Sequence, residues 1–179
     1  EHYDLEDALV VATFLNSFVR RADVVKMANM AQLVNVIAPI FTSETGLFLQ
    51  TIYYPLQQFA RNSHGASLEL FVDCPKYKSR RFDDVPYLDV SAAYRDGAVV
   101  LNVVNRHLTQ PIETDILLED RRFTAGAKVF EVGGPDLRAT NDFGRANVAT
   151  RSRDISAQGD RLRYAFAPRS FTSIIAQIA

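Results

Sequence analysis

The stretch ADVVKMANMAQLVNVIAPIF, residues 22–41, decides the fold. Met, Ala and Gln favour a helix by intrinsic propensity. Val24, Val25, Val34, Val36 and Ile37 favour a strand. A continuous apolar run of this kind is also what a parallel strand buried on both faces looks like. Pro39 ends whichever element forms. The amides Gln32 and Asn35 interrupt the run. They either satisfy backbone groups at an element's end or hydrogen-bond a ligand. If residues 24–32 form a strand of a parallel barrel, Gln32 stands at its C-terminal end, where barrel strands carry their functional residues.

The segment before it reads as a helix. Leu5, Ala8, Leu9, Ala12, Leu15, Phe18 and Val19 follow helical spacing. Asp4, Glu6 and Asp7 place negative charge at the helix start, and Arg20 and Arg21 close the other end. Val10, Val11 and Phe14 add apolar surface on other sides, so this helix needs cover on more than one face. The segment after it, IYYPLQQFARNSHG (52–65), predicts a second helix, with Pro55 in its first turn and Gly65 at its stop.

Beyond Gly65 the pattern changes to short strand-like runs separated by turns. They are ASLELFV (66–72), GAVVLNVVN (97–105), IETDILLE (112–119), AKVFEV (127–132), RLRYAFA (161–167) and SFTSIIAQI (170–178). YRDG at 94–97 signals a hairpin, and GGPD at 133–136 a turn. The chain is therefore read as two unlike units. Residues 1–65 are helix, apolar run, helix. Residues 66–179 are an antiparallel sandwich or barrel. The first unit is too small to bury its own apolar faces, and a helix–strand–helix unit is how one slice of a parallel α/β barrel reads.

Composition excludes several classes. With 20 basic and 21 acidic residues, the formal charge is -1, which is no footprint for nucleic acid or a polybasic membrane contact. The basic clusters at 20–21, 78–81 and 151–153 are broken by acids and read as solvated faces. The one cysteine, Cys74, permits no internal disulfide. His2, His64 and His107 are isolated, so no metal or other cofactor is expected. The run ALVVATFLNSFV is too short to span a bilayer. The chain begins EHYDLEDALV, without Met or a signal peptide, which suggests a piece of a longer polypeptide from a reducing, cytoplasmic setting.

Reactive constellations are scarce. Glu6–Asp7, Asp83–Asp84 and Glu119–Asp120 are sequence neighbours, which do not face each other on a helix or strand. Asp73 reads as turn chemistry and Cys74 as a buried, inert thiol. There is no nucleophile elbow and no phosphate loop. Sugar sites often use exposed aromatics. Trp is absent, and only TIYYP (51–55) and PYLD (86–89) are candidates to expose a ring.

The quoted run, extended to YDLEDALVVATFLNSFVRRADVVKMANMAQLVNVIAPI (3–40), resembles the C-terminal part of the family 51 α-L-arabinofuranosidases. QTIYYPLQQFA (50–60), CPKYKSRRFDDVPYLDVSAAY (74–94) and VVNR (103–106) match further along, and RATNDFGRANVATRSRDI (138–155) resembles the family's long loop before its last strands. The resemblance covers essentially the whole chain. It implies a (β/α)8 barrel followed by a β-sandwich of jelly-roll type. Residues 1–65 would be the last barrel elements (helix 7, strand 8, helix 8) and residues 66–179 the sandwich.

The implied activity is hydrolysis of terminal arabinofuranosyl groups from arabinan- and arabinoxylan-type oligosaccharides, with retention through two glutamates. Neither glutamate has a match here, so no catalytic residue is assigned to this chain, and the implied partner is the upstream part of the enzyme that bears them. The resemblance carries one sugar-binding residue over, Gln32, with Asn35 as a weaker second. A single barrel strand cannot close a barrel. The apolar faces of residues 5–19 and 33–41 are therefore expected to meet an upstream chain or to drive homo-oligomerisation. The rival class is a stand-alone β-sandwich that binds carbohydrate or protein, with residues 1–65 as an adaptor.

Overall fold

The computed structural model describes residues 2–179. Helix α1 spans Leu5–Arg20, and a hairpin follows from Ile40–Ser43 (β1) and Gly46–Leu49 (β2). Helix α2 is Tyr53–Asn62, and short strand β3 is Ala66–Leu68. Then come the two-residue pair Lys76–Tyr77 (β4) and Val85–Pro86 (β5), and the hairpin Leu88–Arg95 (β6) and Ala98–Asn105 (β7). Ile112–Leu117 (β8) and Phe123–Gly133 (β9) precede a second two-residue pair, Asn141–Asp142 (β10) and Arg145–Ala146 (β11). Ala149–Ile155 (β12), Arg161–Phe166 (β13) and Ser170–Ile178 (β14) end the chain.

Six strands form one antiparallel sheet in the order β12-β9-β14-β7-β6-β3, and β13 pairs with β8 as a separate ribbon. Side chains alternate across the large sheet. Val103, Val129 and Ile174 point to one face, where Leu162, Tyr164 and Phe166 of the ribbon close a core over them. Val104, Val132 and Phe171 point to the other, where Leu5, Ala8, Leu9 and Ala12 of α1 and Phe59 of α2 cover them. The organisation is mostly β, with two helices.

Local chemistry sets the elements. Asp4 and Asp7 form a reciprocal capping box at the start of α1: the Asp7 amide donates to Asp4 Oδ1 (3.1 Å) and the Asp4 amide to Asp7 Oδ2 (2.9 Å). The β6–β7 turn puts Asp96 (φ 52°) and Gly97 (φ 80°) in left-handed conformations, the hairpin geometry its sequence signals. The α1 registration on the sheet is polar. Ser91 Oγ donates to Asn16 Oδ1 (2.7 Å), and Asn16 Nδ2 donates to Asp89 O (3.0 Å) and Asp89 Oδ1 (2.9 Å).

Five expectations change. Residues 24–32 make no strand, because strand hydrogen bonds need a neighbouring strand and the described residues offer none to this segment. The hairpin β1–β2 follows Pro39, where the sequence reading placed only an ending. ASLELFV pairs with β6 only over 66–68. Continuing that register would set Leu70 opposite Val90, but Arg20 Nη1 donates to Val90 O (2.7 Å). A side chain of α1 occupies that edge carbonyl, the strand peels away, and Phe71 is left 95% exposed. The stretch 138–155 is not wholly loop, since it holds the edge strand β12. The apolar cover expected for residues 5–19 is half supplied. Leu5, Ala8, Leu9 and Ala12 are buried, while Val10, Phe14 and Phe18 remain exposed.

Gly65 stands where α2 gives way to β3, with φ 103°; a Cβ there would lie 2.2 Å from the Tyr94 carbonyl oxygen. Gly65→Ala is expected to lower stability by about 2–3 kcal/mol, read from urea unfolding. An unchanged midpoint would mean that the α2–β3 turn can shift off β6.

Candidate functional site

The chain leaves α1 through a turn in which the Val24 and Val25 amides donate to Arg21 O (3.0 and 2.8 Å). Arg21 and Asp23 pair in solvent (3.0 Å), and the hydrogen bond from the Arg21 guanidinium holds the Asp23 carboxyl below its ordinary range. From there residues 25–33 run without regular structure. Met27 (78% exposed), Leu33 and Ile37 face solvent.

Gln32 and Asn35 are brought together, though not side chain to side chain. Gln32 Nε2 donates to the backbone carbonyls of Asn35 (3.0 Å) and Val34 (3.4 Å). Its Oε1 accepts no hydrogen bond among the described residues. Asn35 turns its own amide to the hairpin: the Thr42 amide donates to Asn35 Oδ1 (2.8 Å), and Asn35 Nδ2 donates to Thr42 Oγ1 (2.9 Å). The Asn35 amide donates to Ile40 O (2.8 Å), and its carbonyl also receives the Ala38 amide (3.0 Å). Asn35 and Val36 both have left-handed backbones, φ 62° and 58°.

Residues that sequence reasoning did not single out brace this loop. Gln50, buried to 1% exposure, donates from Nε2 to Ala38 O (2.8 Å) and accepts the Tyr3 amide on Oε1 (2.9 Å). The Tyr3 hydroxyl donates to Ile37 O (3.1 Å). On the far face of the hairpin, Phe48 packs against Phe41 (5.2 Å between ring centres) and edge-on against Phe143 (4.9 Å). Asn141 Nδ2 donates to Leu49 O (2.9 Å), so the β10–β11 loop supports the hairpin from behind. Amides flanked by apolar residues were the available signal, and Gln50 carries it as clearly as Gln32.

The arrangement binds rather than reacts. Asp23 and Glu44 are the only acids in residues 21–50, so the loop has no carboxylate pair for acid–base work. A neutral amide with a free acceptor suits a hydroxyl donor. Elsewhere, Asp7 serves the α1 cap and Glu6 meets Arg138 (3.1 Å), while Asp83 pairs with Lys78 (2.6 Å) in solvent. Cys74 packs against the core closed by the β8–β13 ribbon. His107 Nδ1 accepts the Thr109 and Gln110 amides (3.2 and 2.9 Å). Tyr87 lies in tilted ring contact with both Tyr77 and His107 rather than open on both faces. Among the described residues no three His, Cys, Asp or Glu side chains converge as a metal site, and no helix is long and apolar enough to cross a membrane.

Comparison with known proteins is consistent along the chain. The family model described as the alpha-L-arabinofuranosidase C-terminal domain matches residues 1–170. An "Intracellular exo-alpha-(1->5)-L-arabinofuranosidase 1" of Bacillus subtilis is 36% identical over 176 residues, covering 96% of this chain and 35% of that protein. A "Probable alpha-L-arabinofuranosidase C" of Aspergillus terreus is 36% identical over 180 residues, covering 96% of this chain and 34% of that protein. Among solved structures, the α-L-arabinofuranosidase of Thermotoga maritima in its arabinose complex superposes with TM-score 0.89 at 25% identity, covering 99% of this chain and 39% of that one. The chain thus spans about a third of the length of the curated relatives it matches.

Proposed function

The chain belongs to the α-L-arabinofuranosidase C-terminal domain family, and from that premise we propose that it is the C-terminal part of a retaining α-L-arabinofuranosidase acting on arabinose-containing oligosaccharides. In this reading residues 1–65 are the last elements of a (β/α)8 barrel and residues 66–179 a jelly-roll sandwich. The two catalytic glutamates lie on the upstream part of the enzyme. The uncovered apolar side chains of α1 and of residues 24–37 are where that part, or a further copy, seats. The enzyme works in the cytoplasm, in keeping with the name of the B. subtilis relative.

One observation carries the reading. Gln32 presents an unengaged Oε1 from a segment whose amide nitrogen is already tied to its own loop. In a completed barrel the segment becomes the eighth strand, and Gln32 stands at the end of it facing the sugar. Its amide accepts from a hydroxyl and stays neutral beside two glutamates, leaving their acid and base pKa values undisturbed. Asn35 shapes the loop behind it.

In the complete polypeptide, Gln32→Ala is expected to lower kcat/KM on an aryl α-L-arabinofuranoside about tenfold, the worth of one hydrogen bond of about 1.4 kcal/mol, with the melting temperature nearly unchanged. Parallel losses of activity and melting temperature would instead make the amide a purely structural group.

A further inference from the structure

We infer that the left-handed backbone of Val36 is the positioning device for Gln32, acting through the Asn35 carbonyl. The inference rests on the reading of Gln32 as a sugar contact and adds what aims it.

The link is one peptide unit. The oxygen that holds Gln32 Nε2 at 3.0 Å belongs to the peptide between Asn35 and Val36. Its direction is set by ψ of Asn35 and φ of Val36. Asn tolerates the left-handed region, because its short polar side chain bonds locally, as Asn35 does to Thr42. Valine does not. A β-branched residue at φ 58° is a genuine outlier. Such strain persists only where the surroundings over-determine it. Here the Asn35 side chain is fixed on Thr42, the Asn35 amide on Ile40, and the Ala38 carbonyl on Gln50.

The Val36 side chain is 64% exposed, so core packing does not dictate its backbone. Turning φ to the negative side would swing the Asn35 carbonyl away and release the Gln32 amide nitrogen. A glutamine has three rotatable bonds, and with that anchor lost its Oε1 has no fixed aim. With the anchor in place, both functions of the amide are assigned. Nε2 holds the loop and Oε1 is left to accept from a sugar hydroxyl.

The test contrasts a residue that permits φ > 0 with one that forbids it. Val36→Gly allows the left-handed region without strain; Val36→Pro locks φ near −65°. In the complete polypeptide, Val36→Pro should lower kcat/KM on an aryl α-L-arabinofuranoside about tenfold, and no further when combined with Gln32→Ala. Val36→Gly should keep the full rate. In the 179-residue chain, the Gln32 side-chain amide protons should exchange slowly with solvent in wild type and Val36→Gly, and freely in Val36→Pro. Slow exchange in Val36→Pro, or a tenfold loss in Val36→Gly, overturns the inference. The Gly arm decides it even where the Pro variant fails to fold. If Gln32→Ala leaves the rate intact, the sugar-contact reading fails, and the exchange measurement still tests the anchor separately.

Discussion

Asp89→Ala is expected to lower the unfolding free energy by about 3 kcal/mol. The Asp89 carboxylate is 11% exposed and is the node joining α1 to the large sheet. It accepts Arg106 Nη2 at 2.8 Å, Arg20 Nη1 at 3.1 Å and Asn16 Nδ2 at 2.9 Å. Removing it leaves the Arg106 guanidinium, 22% exposed, without its counter-charge. A buried charge stranded in this way costs roughly 3–5 kcal/mol. The lower end applies because Arg20 is 37% exposed and regains water. Urea unfolding gives the value, and amide exchange locates it, with protection lost first along α1. A change below about 1 kcal/mol would show that both arginines rehydrate freely and that apolar packing alone seats the helix.

Phe171→Ala should cost about 4 kcal/mol, within the range for deleting a buried aromatic ring. Phe171 is fully buried on β14 and stacks on Phe59 of α2, with ring centres 5.4 Å apart and planes 14° from parallel. Val104 and Val132 stand opposite it on the neighbouring strands. Three elements of the helix-side core therefore meet on one ring, and neighbouring backbones are too firmly paired to collapse into the space it leaves. Urea unfolding of Phe171→Ala beside Phe171→Leu separates cavity from contact, with leucine recovering more than half the loss. If alanine costs less than about 1.5 kcal/mol, α2 must be able to settle onto the sheet, and the two helices are only loosely held.

Where a local pattern matched a local cause, the sequence was readable. The capped, acid-first α1 and the Asp96–Gly97 hairpin formed as expected. So did β13, whose Leu162, Tyr164 and Phe166 alternate inward. What could not be read depended on partners. Residues 24–32 carry strand-forming valines yet stay unpaired, because no neighbouring strand lies beside them among the described residues. ASLELFV stops at Leu68 because Arg20, about fifty residues earlier, takes the next edge carbonyl of β6, that of Val90. β12 was hidden because its four central residues, Arg151–Asp154, are polar and exposed, which is how an edge strand avoids further pairing. Gln32 stood out as an amide in an apolar run. Its anchor did not, since a valine at positive φ is what composition argues against.

The central place of β14 bears on how the protein is made. This strand is translated after every other strand of the large sheet, yet it lies in the middle of it, bonded to β7 on one side and β9 on the other. Until Ser170–Ile178 emerges, β7–β6–β3 and β12–β9 are two separate ribbons, each with a bare edge. Synthesis at roughly 5–20 residues per second leaves those edges open for several seconds after β7 is complete, and pairing across such sequence distances is slow. A ribosome stalled near Arg169, or a nick there, would yield two sticky half-sheets rather than a slightly shorter protein.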